Sequence, residues 1–78
     1  MTEQAQQRIF RIIGRVAGVD PASIRHETLL VADLNIDSPR ALMLLVELED
    51  TFGLTMSDNA AAQMQTAGDI LDYLESRI

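Results

Sequence analysis

The stretch Asp33-Leu34-Asn35-Ile36-Asp37-Ser38-Pro39 is where this chain concentrates groups able to do chemistry. It puts a hydroxyl, two carboxylates and a proline at the junction between a long irregular stretch and a strongly apolar helical pattern. Pro39 suits the first helical position, where its missing N–H would be unpaired anyway. The residue before a proline is pushed out of the α region, which is the backbone an N-cap needs. Serine is among the best N-caps. The spacing therefore predicts Ser38 as the N-cap, with its hydroxyl outside the helix body. A phosphate on that hydroxyl would sit at the positive end of the helix dipole. Most serines in front of helices are caps and nothing more, so this physics alone does not make Ser38 a modification site.

The remaining reactive groups are sparse. His26 is the only histidine and falls in a loop, so a histidine-based triad or metal cluster cannot assemble. It reads as a surface or loop-packing residue. Asp33 and Asp37 could ligate a metal, but Asp33 reads better as a brace for the loop. The chain has no cysteine, so any thiol chemistry needs an added cofactor. No set of acid, base and nucleophile comes together. The expectation is a protein that is not an enzyme, with no catalytic residue and no metal.

Composition bounds the rest. Seventy-eight residues make one domain, 1–78. The formal net charge of −6 argues against nucleic acid, which needs a basic face, and favours basic protein partners. No run approaches the ~20 apolar residues of a membrane span. Met1 to Gln7 lacks the apolar core of a secretory signal. A cytoplasmic monomer is expected. Aromatics are 4% of residues, so the core must be aliphatic, which suits helices packed by ridges of Leu, Ile, Val and Ala.

The elements that must position Ser38 follow from periodicity. Ile9, Ile12, Ile13 and Val16 share a face of a first helix over 3–18, with Thr2 as cap and Gly18 at its end. Residues 19–37 read as a long loop with one helical turn at Pro21-Ala22-Ser23-Ile24. Val19, Ile24, Leu29, Leu30 and Leu34 are its expected anchors. A second helix over 38–52 places Leu42, Leu45, Leu48 and Phe52 on one face, flanked by Leu44, and stops at Gly53. A short helix is expected over Ala60 to Met64, behind the capping residues Ser57-Asp58-Asn59. Thr66 and Asp69 form a capping box for a last helix, 67–77. The sum is an all-α fold: a small four-helix bundle of three main helices and one short one, with a long loop between the first two.

With these motifs in place, the chain resembles the acyl carrier protein family over nearly its full length. The resemblance rests on Ile12-Ile13-Gly14 and on Gly18-Val19-Asp20-Pro21-Ala22-Ser23-Ile24. It continues through Leu30-Val31-Ala32-Asp33-Leu34-Asn35-Ile36-Asp37-Ser38-Pro39 and Leu48-Glu49-Asp50-Thr51-Phe52-Gly53-Leu54 to the tail Thr66–Leu74. It implies a 4′-phosphopantetheine arm on Ser38, installed from coenzyme A by a holo-acyl-carrier-protein synthase or another phosphopantetheinyl transferase. It further implies thioester cargo passed between acyl-loading and acyl-transferring enzymes of fatty-acid, polyketide or related lipid biosynthesis. An aminoacyl, peptidyl or D-alanyl carrier shares the fold and the serine. A third reading, of another class, is an unmodified helical interaction module.

The resemblance makes the helix after Ser38 the partner-recognition element. Partner contacts are expected from Asp37, Pro39, Arg40, Met43, Val46, Glu47 and Asp50. Leu42, Leu45 and Leu48 are core residues that could also line an acyl pocket, and Met56 and Met64 are adaptable apolar surface or core. Ile36, Pro39, Met43 and Val46 are expected to form an apolar patch at the base of the arm. Three residues depart from the family pattern. Pro39 stands where leucine is usual, Arg40 where an acid is common, and Met43 at a frequent glutamate position. These departures fit either a carrier for one dedicated pathway or ordinary drift on an exposed face. Arg40 is also within reach of a phosphodiester on Ser38, but it reads better as a solvated arginine. Asn35 replaces the family's usual glycine at an expected left-handed position, which asparagine tolerates better than other side chains.

Overall fold

A computed structural model describes residues 2–77. The first helix, α1, spans Glu3–Ala17. The Thr2 hydroxyl accepts the Ala5 N–H at 3.1 Å, and Gly18 closes the helix at φ 75°, donating its N–H to Gly14. The buried face is Ile9, Ile12, Ile13 and Ala17, while Val16 is only half-buried. Helix α2 spans Ser38–Phe52 and ends on Gly53 in the left-handed region. Helix α3 spans Asp58–Gln63, capped by Ser57, and starts earlier than its alanine run suggested. Helix α4 spans Ala67–Glu75, two residues shorter at its end than expected. The expected helical turn in the long loop is a 3-10 turn, Pro21–Ser23, capped by the Asp20 carboxylate.

The core is aliphatic throughout. Ile9, Ile13, Leu48, Ile70 and Leu74 are its most enclosed side chains, each stabilising the fold by about 1.5–3 kcal/mol relative to exposure. Among the described residues no polar or charged side chain is buried. Helices α1 and α2 are also joined at the surface. The Arg8 guanidinium lies over the Phe52 ring at 5.2 Å, and Arg15 pairs with Glu47 at 2.8 Å.

The long loop is anchored by Ile24, Leu30 and Leu34, all buried, with Val19 half-buried. Leu29 is exposed, contrary to expectation, because its backbone rather than its side chain does the anchoring. It forms an isolated bridge with Thr66, and the neighbouring Leu30 N–H donates to Gln65 at 2.9 Å. The Ala67 N–H donates to Thr28 at 3.0 Å and the Gly68 N–H to His26 at 2.9 Å. Gly68 is required by this approach: a Cβ there would lie 2.8 Å from the His26 carbonyl oxygen. His26 itself is exposed and meets the Phe10 ring edge-on, as a loop-packing residue.

The capping box of α4 forms as expected, with Thr66 and Asp69 each accepting the other's N–H. Asp69 also accepts the Gln65 N–H at 2.9 Å. The Gln65 and Thr66 amides hold its carboxyl below the ordinary value of 3.8, against a smaller opposing effect of burial.

Candidate functional site

Ser38 is delivered by a short, heavily bonded segment. The Asp33 carboxylate accepts the Leu29 N–H at 2.8 Å, which makes Asp33 the brace its position suggested. The Asn35 N–H donates to Val31 at 2.9 Å and the Ile36 N–H to Leu30 at 3.0 Å. Asn35 adopts φ 55°, the left-handed conformation expected of it. Ile36 is then driven into the core at 4% exposure. The buried Ile36 on one side and the start of α2 on the other thus set where Ser38 stands.

The cap is not Ser38. Asp37 is the N-cap: its backbone is extended, and its carboxylate accepts the Arg40 N–H at 3.0 Å. Ser38 is the first residue of α2 and Pro39 the second. Both aspartate and serine cap well, and proline is accepted in the first turn. The chain therefore had two legal frames one residue apart, and Asp37 takes the cap. The shift frees the Ser38 hydroxyl. It is exposed and makes no hydrogen bond among the described residues. A free, outward hydroxyl on a fixed backbone fits esterification by a bulky phosphate arm better than one committed to a backbone amide. The helix dipole supplies less than the sequence suggested, because Pro39 has no N–H and the Arg40 N–H is already taken by Asp37.

Beside this turn lies an apolar cavity of about 100 Å³. Ile36 and Ala41, on either side of Ser38 in sequence, line it together with Leu44, Leu45 and Leu48 of α2. Met56, Ala61, Met64 and Ile70 close the far side. Of the expected pocket residues, Leu45 and Leu48 are present and Leu42 is not: it is exposed on the outer face of α2. Leu44 takes its place, buried, together with Ala41 on the lining. Residues 41–46 are all apolar, so periodicity within that run could not choose the inner face. An extra signal was available in the stripe Ala41, Leu44, Leu45, Leu48 and Phe52, which keeps helical spacing through to Gly53.

The expected partner surface divides in two. Pro39, Met43 and Val46 are exposed as anticipated, but Ile36 is buried and cannot belong to their patch. Glu47 is half-buried and paired with Arg15. Glu49 accepts the Met56 N–H at 2.9 Å and so holds the turn after α2. The Arg40 and Asp50 side chains are exposed and make no hydrogen bond or ion pair among the described residues.

Comparison with known proteins places this geometry. Residues 7–74 match the family model described as a phosphopantetheine attachment site. The chain is 34% identical over 68 residues to an acyl carrier protein of Phaeodactylum tricornutum, covering 87% of this chain and 90% of that one. It is 36% identical over 67 residues to the meromycolate extension acyl carrier protein of Mycobacterium leprae, covering 86% of this chain and 58% of the relative. Among solved structures, a candidate acyl carrier protein from Mycobacterium tuberculosis superposes with a TM-score of 0.87 at 30% identity, over 94% of this chain and 97% of the other. The acyl carrier protein of Enterococcus faecalis gives 0.81 at 32% identity, over 97% and 98%. With a family model matched over residues 7–74 and a 34% identical relative covered over 90% of its own length, this chain belongs to the acyl carrier protein family.

Proposed function

We propose that Ser38 is the residue that bears the 4′-phosphopantetheine arm. The single observation that carries this is its placement as an exposed, unbonded hydroxyl on the first turn of α2, one residue beyond the cap. As a member of its family the chain is a non-enzymatic carrier of acyl groups, with 4′-phosphopantetheine as its cofactor. The arm supplies the thiol, which this cysteine-free chain lacks, and holds the acyl group as a thioester. A phosphopantetheinyl transferase and acyl-handling enzymes are its partners. Tethering raises the effective concentration of the cargo for those enzymes.

The cavity beside Ser38 supports an apolar acyl cargo over an aminoacyl one. Its lining is wholly aliphatic and methionine, with no polar side chain to receive an amine. At about 100 Å³ it is smaller than the ~150 Å³ engineered cavity that accommodates benzene, so a long chain enters only if the walls give. Met56 and Met64 are the walls able to do so, being unbranched and adaptable. No helix of the described residues is long and apolar enough to cross a membrane. In this reading the carrier works as a cytoplasmic monomer, its −6 charge opposing self-association.

The test is direct. The purified protein is incubated with coenzyme A and a broad-range phosphopantetheinyl transferase, and the intact mass is recorded. A phosphopantetheine-sized increase is expected in the wild type and not in Ser38→Ala. Modification of Ser38→Ala, or an unchanged wild-type mass, refutes the assignment.

A further inference from the structure

We infer that the outer face of α1 is a docking site for an acidic segment of a partner protein, remote from the arm. All six bases of the chain are arginines, and three of them, Arg8, Arg11 and Arg15, lie on α1. Spacings of three and four residues put them on one face of the helix. No acid falls between Glu3 and Asp20, so this face is positive in a chain of net charge −6. All three are exposed, and they line one shallow groove with Ile12 and with Thr51 of the neighbouring α2. Thr51 stands thirteen residues past Ser38, about 20 Å along the helix at about 1.5 Å per residue. The site is therefore independent of the Ser38 assignment, and its occupation leaves the arm free.

The fold accounts for two of these arginines and not for the third. Arg15 lies in the last turn of α1, where a cation suits the helix dipole. It makes a single hydrogen bond to Glu47 and its side chain stays 67% exposed, so most of its donors remain open. Arg8 covers the Phe52 ring. The Arg11 side chain makes no hydrogen bond, ion pair or ring contact among the described residues. It stands three residues from Arg8 and four from Arg15, where like charges repel and weaken a helix. An anion set among the three removes that repulsion. Arg11 also lines the adjoining groove of Phe10, Pro21 and Ile24. Exposed ion pairs alone contribute little, so the fitting ligand is a run of carboxylates with a bulky apolar side chain for that groove. Extended anionic surfaces fit less well. All twelve acids lie outside residues 4–19, in a molecule of 27 × 26 × 19 Å, so a lipid surface or nucleic acid laid on α1 meets their repulsion. The large exposed apolar side chains, Leu29, Val31, Leu42, Met43 and Val46, are all outside α1, so this face offers lipid none of them to insert.

The probe is the peptide acetyl-Glu-Glu-Leu-Glu-Glu-Leu-amide, titrated into isotope-labelled protein and followed by backbone amide shifts in NMR spectra. Its counterpart with every Glu replaced by Gln is the uncharged control. Saturable shifts are expected at Arg8, Arg11, Arg15 and Thr51, and not at the unclustered Arg25, Arg40 and Arg77. Arg11→Glu should weaken binding about tenfold. Raising NaCl from about 0.1 M to about 1 M, which shortens the Debye length from about 10 Å to about 3 Å, should weaken it several-fold. Arg11→Gln relieves the like-charge contacts and should melt at or above the wild-type Tm; a lower Tm gives Arg11 a structural role and removes the ground of the inference. Ser38→Ala should bind as wild type does, and a loss there contradicts a site remote from the arm. The inference is overturned if no shift saturates, if the glutamine peptide binds equally well, or if Arg25, Arg40 and Arg77 respond as strongly as the α1 face. It is overturned in favour of a membrane if phosphatidylglycerol vesicles bind more tightly than the peptide and need Arg11. It is overturned in favour of a second copy if sedimentation shows self-association that Arg11→Glu abolishes.

Discussion

Replacing Asp37 by alanine removes the side chain that closes the first turn of α2 directly beside Ser38. Four backbone N–H groups at a helix start have no partner within the helix. In α2 one of the four is absent because Pro39 has no N–H, and the Arg40 N–H is satisfied by the Asp37 carboxylate at 3.0 Å. The Asp37→Ala variant leaves that N–H to water. Because the bond is exposed, water compensates in part, and the loss is placed in the middle of the range for caps, about 1 kcal/mol. Set against a total stability of about 4–12 kcal/mol for a chain of this length, that is a measurable fraction. It corresponds to a drop of about 4–8 °C in Tm. Asp37→Asn and Asp37→Ser retain an acceptor and should recover most of it. Thermal melts by far-UV circular dichroism on the four proteins give the answer. Each is also assayed for arm attachment, since an Asp37→Asn that melts like wild type yet is modified slowly would assign the charge to the transferase. If Asp37→Ala melts with wild type, or if Asp37→Asn falls as far as alanine does, the capping account of Asp37 is wrong.

Other outcomes follow from the same structure. Gly68→Ala sets a Cβ 2.8 Å from the His26 carbonyl oxygen, which is backbone and cannot swing away; urea unfolding should show a loss of about 1–3 kcal/mol. Leu48→Ala empties an almost fully enclosed site on the cavity wall, and the same assay should show a loss of about 2–5 kcal/mol. Asp69 has a depressed folded pKa, so its contribution is fully present above the unfolded value and is lost as pH falls through the folded one. The stability gap between wild type and Asp69→Asn should therefore be constant near neutral pH and close as pH drops below about 4. A gap that stays constant to lower pH would mean that the carboxylate charge adds nothing to the box.

The local signals were legible in the chain itself. Thr2, Gly18, Gly53, Ser57 and the Thr66–Asp69 box mark helix ends because their roles depend on neighbours two to four residues away. Asn35 declared its left-handed backbone for the same reason. The Ser38 neighbourhood was legible as a junction but not to the residue. Asp37 and Ser38 are both competent caps, and propensity could not say which would take the position.

What the tertiary structure decided was orientation and pairing. The apolar run 41–46 fits more than one helical face, and only the placement of α2 in the bundle turned Leu44 inward and Leu42 out to solvent. Local geometry, too, left open which acids on α2 were available. Glu47 met an arginine thirty-two residues away, and Glu49 met an amide beyond the helix end. Sequence alone determined that a serine would stand where a long loop enters an amphipathic helix, because that follows from short-range backbone chemistry. The fold determined which side chains surround that serine, because burial and ion pairing depend on residues distant in the chain and brought together only by the closed bundle.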